Sequence, residues 1–185
     1  VKKNDIKIAT ILPYKESYTL EYASAVSLWV SQFFKKSKFK NKNFIYGNAN
    51  SKNYLSKNYI NIPLKNLKSK FRSTSYEYVE KISKKIIKEK FDIVEIHNRP
   101  LVLFQLLKRI NAKFIMYYHN DPLTMSGSKS ISERVEILKK VEKLVFISKW
   151  VKKRFFKGLD RTQEHKTEII YHSTHKRKKK NKTNQ

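Results

Sequence analysis

Short runs of consecutive apolar residues, each followed by a stretch with helical spacing, recur along the whole chain. "IKIATIL" (Ile6 to Leu12), "NFIYG" (Asn43 to Gly47), "FDIVEIH" (Phe91 to His97), "KFIMYY" (Lys113 to Tyr118), "KLVFIS" (Lys143 to Ser148) and "TEIIYHS" (Thr167 to Ser173) are continuous rather than alternating, and "YINI" (Tyr59 to Ile62) is a weaker example. A strand that is apolar on both faces must be covered on both faces. Interleaved with helices, such strands form a parallel sheet sandwiched between helical layers. The pattern predicts an α/β fold with a doubly wound parallel sheet and helices on both faces.

The helical stretches are read from spacing and punctuation. Ala23, Val26, Val30, Phe33 and Phe34 predict a helix from Leu20 to about Lys36. Ser73 or Thr74 would cap a second, with Val79, Ile82 and Ile86 on one face and an end near Lys90. Pro100 opens a third over Leu101 to Ile110, since its missing N–H costs nothing in a first turn. A fourth covers Ser132 to Val141, and "KWVKKRFF" fills a fifth that stops at Gly158.

The 185 residues suit one domain, expected over residues 1–174. Residues 175–185 hold six basic and no acidic side chains, and read as a linker or disordered tail. A formal charge of +27 points to nucleic acid, an anionic membrane or an acidic substrate. Only seven of the 42 cations are arginine, however, and lysine travels with abundant Asn and Ile, the bias of AT-rich coding sequence. Arginine is the usual residue for bidentate phosphate and base contacts, so compositional bias is the main reading and specific nucleic-acid binding is not expected. The absence of cysteine excludes disulfides and thiolate zinc sites. No apolar run reaches the ~20 residues of a membrane span, and Val1 to Asp5 does not resemble a signal peptide. The expected location is cytoplasmic, with possible peripheral contact to the inner face of the membrane.

Several predicted strands end in polar clusters: "HNRP" from His97, "HNDP" from His119, Ser148, His172, and Pro13 to Ser17 after the first strand. Right-handed crossovers place all these ends along one edge of a parallel sheet, where doubly wound folds bind ligands. Each residue has a plainer reading: a strand-end histidine braces a loop, Ser148 caps a helix, and Arg99 is a solvated charge. A zinc set of His97, His119, Asp121 and His172 lacks any short ligand spacing. The three glycines, Gly47, Gly127 and Gly158, form no phosphate-cradling loop, and Ser148 lacks the glycines of a hydrolase elbow.

"FDIVEIHNRP", "KFIMYYHNDP", "KLVFISKWVKKRF" and "KTEIIYHST", in this order and spacing, resemble the N-terminal domain of family 4 glycosyltransferases, as does "ILPYKESYTLEYASAVS" for its first loop and helix. The resemblance covers Ile6 to Thr174 and implies a Rossmann-like domain, half of a GT-B type fold. It implies transfer of a hexosyl-type sugar, with retention and without metal or other cofactor, from a nucleotide-diphosphate sugar to a glycan or lipid-linked acceptor of the cell envelope. His119 would be the catalytic position. Tyr14, Lys15, Glu16, Asn98, Arg99, Asn120 and Asp121 would bind the acceptor, and Ser24, Ser148 and His172 would face the donor side. Where the family often has adjacent glycines, this sequence has Ala23, Ser24 and Ala25, which keeps the backbone farther from a donor phosphate. The donor-binding domain that follows in the family, with its basic pair and paired glutamates, is missing before Gln185, so the expectation is a truncated, acceptor-side half that is inactive alone. Lys152, Lys153, Arg154, Phe155 and Phe156 are candidates for resting on anionic headgroups. The competing function is a non-enzymatic basic module for RNA or anionic membranes, whose affinity would fall steeply with salt and ignore His119.

Overall fold

The computed structural model describes residues 6–64 and 73–172. The expected basic tail lies outside them, as do Ser173 of the last predicted strand and Thr174, the last residue of the expected domain. Among the described residues seven strands form one parallel sheet: β1 (Ile8–Ile11), β2 (Asn43–Gly47), β3 (Tyr59–Asn61), β4 (Ile93–His97), β5 (Lys113–Tyr118), β6 (Lys143–Phe146) and β7 (Thr167–Ile169). Their spatial order is β3-β2-β1-β4-β5-β6-β7. The chain winds outward one way from β1 through β3, then returns to β4 and winds the other way, which puts the switch point between β1 and β4.

The helices are α1 (Ala25–Lys36), α2 (Thr74–Glu89), α3 (Pro100–Leu107), α4 (Ile131–Lys140) and α5 (Lys149–Phe155). They divide unequally between the two faces. One face carries the larger core, where Val79, Ile82 and Ile86 of α2, Val102, Leu103 and Leu106 of α3, Ile137 of α4 and Val151 and Phe155 of α5 meet Ile11, Ile96, Met116 and Phe146 of the sheet. On the other face α1 alone among the described helices contributes, through Val26, Trp29 and Val30 against Ile45, Tyr117 and Val145. There the sheet also presents Thr10, Glu95 and His97, so the polar side chains of the strand interiors lie under a single helix.

Local chemistry sets the ends. α1 begins at Ala25, later than spacing predicts, because the Ser24 hydroxyl accepts from the Ser27 N–H. The preceding residues are tied instead to the long β2–β3 connection by the Thr19–Tyr54 bridge and by Leu20 N–H donating to Asn53 O. Ser73 caps α2, and Ser130 with Glu133 forms a capping box on α4. α3 stops at Leu107, short of the predicted Ile110. Gly158, at φ 77°, ends the α5 region as expected. β7 is shorter than predicted, ending at Ile169. No described helix is long and apolar enough to cross a membrane.

Candidate functional site

The switch point opens into a cleft of about 480 Å3. Tyr14, Lys15 and Glu16 reach it from the loop after β1, Asn98 and Arg99 from the end of β4, and Asn120, Thr124, Met125 and Ser126 from the segment after β5. Pro13 ends the first strand, and Glu16 N–H closes a turn onto its carbonyl. That turn holds Tyr14 tilted against Tyr78 at 5.7 Å, with the Arg99 guanidinium 5.5 Å from the Tyr14 ring centre. Arg99 opens α3 without capping it, and its Nε is buried without a partner among the described residues. Asn98 adopts φ 52°, a left-handed conformation that Asn tolerates better than most residues. Its buried Oδ1 accepts from the His119 N–H at 2.7 Å and its own N–H donates to Tyr117 O, so one residue pins the ends of β4 and β5 together. Gly127 backs the cleft at φ 91°, where a Cβ would stand 2.9 Å from the Leu101 nitrogen.

Beside the cleft runs a chain of histidines. His97 Nδ1 is 2.8 Å from His119 Nε2, and His119 Nδ1 is 3.4 Å from His172 Nε2. Trp29 of α1 touches all three rings, and His97 stacks on Tyr117 at 4.5 Å. His97 and His119 are 1% and 6% exposed, whereas His172 faces solvent. Burial pushes His97 well below the usual imidazole range and His119 to about 3, helped in the second case by His172. His172 is lowered as well, by burial. These rings are therefore neutral hydrogen-bonding groups at neutral pH, not cations. Deeper on the same strand, Glu95 accepts from the Thr10 hydroxyl at 2.7 Å and the Tyr117 hydroxyl at 3.1 Å, and burial raises its pKa.

The structure thus brings Tyr14, Lys15, Glu16, Asn98, Arg99 and Asn120 into one cleft, as their strand-end positions suggest. It takes Asp121 elsewhere: one carboxylate oxygen accepts from the Leu123 N–H, the other from Arg154 of α5 at 2.9 Å. His119 does not line the cleft, and both of its ring nitrogens face other histidines. Ser24 and Ser148 each accept from an amide of the helix they open. Phe155 and Phe156, candidates for a membrane surface, point into the core, while Arg154 pairs with Asp121 and Lys152 with Glu164. The zinc set does not assemble: among the described residues no three such side chains could hold a metal ion.

Sequence reasoning missed Glu95, Trp29 and Gly127. Glu95 is an acid in the middle of an apolar strand pattern, and it stands two residues before His97 on the same face, a signal that could have flagged it. Trp29 lies among the apolar positions of the first predicted helix without being singled out there, and nothing local marks Gly127 beyond its place in a serine-rich loop.

No protein-family model and no curated protein sequence matches this chain. Solved structures do. The sucrose-phosphate synthase of Thermosynechococcus elongatus superposes with a TM-score of 0.62 at 12% identity, over 91% of this chain and 48% of its own. The lipopolysaccharide outer core galactosyltransferase WaaB gives 0.62 at 13% identity, over 91% and 46%. Anabaena Alr3699/HepE in complex with UDP gives 0.60 at 11% identity, over 90% and 44%. UDP-N-acetylglucosamine 2-epimerases match in the same manner. This chain therefore has the α/β fold found in one half of GT-B enzymes, and it spans a little under half the length of the sucrose-phosphate synthase, WaaB and HepE structures.

Proposed function

We propose that this domain is the acceptor side of a glycosyltransferase that uses a nucleotide-diphosphate sugar, with most donor contacts supplied by a second domain. The observation that carries the reading is the convergence of Tyr14, Lys15, Glu16, Asn98, Arg99 and Asn120 in one cleft at the β1/β4 switch point. Two cations and several hydroxyl- or amide-bearing groups there suit an acidic or phosphorylated glycan, or a lipid-linked sugar, as acceptor. Arg99 is braced against Tyr14 and offers its planar fork to an oxyanion; Lys15 adds a mobile charge at the rim. Asn120 and Asn98 would orient acceptor hydroxyls. In the retaining, metal-independent transfer inferred here, positive charge develops on the donor sugar as its bond to the diphosphate lengthens. A neutral His119, acting through His172, would supply hydrogen bonds rather than charge at that moment.

The test is a titration of the 15N-labelled chain with sugar phosphates, neutral sugars and UDP. Amide shifts confined to residues 14–16, 98–99 and 120–126 with a sugar phosphate, weakened by Arg99→Ala, are expected. Shifts spread over the lysine-bearing helices, caused equally by any polyanion and lost with modest salt, would instead favour the basic binding module.

A further inference from the structure

The three-histidine chain has an inner end that the cleft does not use. His97 Nδ1 is bonded to His119, and the two nitrogens of an imidazole point away from each other, so His97 Nε2 aims into the fold. It is buried and has no partner among the described residues. His97 also lines a space of about 10 Å3 under α1, shared with Glu95, Thr10, Asn43, Tyr117 and Trp29. Val30, Phe33 and Phe34 of α1 complete the lining, so the space is apolar on the helix side and polar on the sheet side; its volume and the polar groups of the sheet are close to what one water molecule requires. A water there, between the Glu95 carboxyl and His97 Nε2, would give that nitrogen the partner that buried polar groups need.

We propose that Glu95, through one bridging water, sets which ring nitrogen carries the hydrogen on His97, His119 and His172, so that its charge state is read out at the solvent-facing nitrogen of His172. With Glu95 ionised, the water donates to the carboxylate and accepts from His97 Nε2–H. His97 Nδ1 then accepts from His119 Nε2–H, His119 Nδ1 accepts from His172 Nε2–H, and His172 Nδ1 presents a lone pair. With Glu95 neutral the order reverses: every ring carries hydrogen on Nδ1, and His172 presents a donor. The protons balance. One enters at His172 Nδ1, each ring passes one inward from Nε2, and the last reaches Glu95 through the water, leaving all three rings neutral throughout. The outer end thus alternates between acceptor and donor toward a hydroxyl.

The surroundings leave Glu95 as the group that decides. β1 contributes Thr10, β2 Asn43, β5 Tyr117, and α1 aromatic and apolar side chains; among the described residues no Lys, Arg or second acid lines the space. Thr10 and Tyr117 both donate to Glu95, so either can tune it. Burial holds the His97 and His119 rings neutral over the range in which a buried carboxyl exchanges its proton.

The experiment is long-range 1H–15N correlation on the full chain labelled at histidine, which reports the tautomer of each ring, followed from mildly basic to mildly acidic pH. The expected result is that His97 and His119 pass together from Nε2–H to Nδ1–H with neither becoming imidazolium. Glu95→Gln should abolish that switch. Tyr117→Phe, which removes one donor from the carboxylate, should move its midpoint upward by about one pH unit. Rings that keep their tautomers throughout, protonate independently, or switch unchanged in the Tyr117→Phe chain would overturn the proposal. Because the wild-type titration is decisive by itself, a Glu95→Gln chain that fails to fold does not shelter it. No part of the test depends on the substrate, so failure of the transferase reading would leave its outcome intact.

Discussion

Two histidines held neutral inside a fold make its stability depend on pH in a definite direction. In the unfolded chain His97 and His119 have the ordinary value of 6.5; in the folded chain burial lowers both, His119 to about 3. Folding therefore keeps its full stability above 6.5 and loses it as pH falls toward the folded values, because the unfolded chain binds the protons. Near pH 5.5 each unfolded ring is about nine-tenths protonated, so two rings give a slope of about 2.5 kcal/mol per pH unit. Glu95 acts with the opposite sign, since its raised pKa favours the folded state as it takes up a proton. Urea denaturation of the full chain at a series of pH values measures the slope. Replacing His119 with Gln should cut it to roughly half. Replacing Glu95 with Gln should steepen it in the mildly acid range. A stability that is flat between about pH 6.5 and 5, or a slope unchanged by His119→Gln, would refute the assignment of two buried neutral rings.

Other consequences are as specific. Buried Arg134 donates to the carbonyls of Ser128, Lys129 and Lys157, tying the cleft's back loop to the end of α5. Arg134→Ala should cost about 3 kcal/mol by chemical denaturation, with Lys restoring only part. Gly127→Ala should lower stability by about 1–3 kcal/mol, since a left-handed conformation and contact with the Leu101 nitrogen both oppose it; a thermal melt would show the loss. Asp121→Asn, which weakens the contact with Arg154, should change stability by no more than about 1 kcal/mol and leave sugar-phosphate binding in the cleft intact, as a parallel titration would reveal.

The sheet and its helices were legible in the sequence because strands buried on both faces write continuous apolar runs, and "VEIH" and "IMYYH" announce their own ends. The cleft was legible for the same reason: parallel winding puts every strand end on one edge, so Tyr14, Asn98 and Asn120 had to lie near one another. What sequence could not give was the side to which each polar group turns. Asp121 sits one residue from Asn120, yet an arginine 33 positions away takes its carboxylate. The interlocking of His97 with His119 follows from the register of β4 against β5, which pairs His97 with Tyr117 and so leaves His119 just beyond the strand end. Only three-dimensional register decides that two rings 22 residues apart bond to each other rather than to a ligand.

Unequal cover of the two sheet faces has a kinetic meaning. The face bearing Thr10, Glu95 and His97 is roofed by α1 alone among the described helices, through Trp29 and Val30. A helix with one partner surface opens more readily than helices that brace one another, as α2 and α3 do. Amide hydrogens of α1 should therefore exchange with solvent sooner than those of α2. Each such opening would hydrate His97, His119 and Glu95 together, making the lifetime of α1 on the sheet the clock against which the proton chain beneath it is insulated.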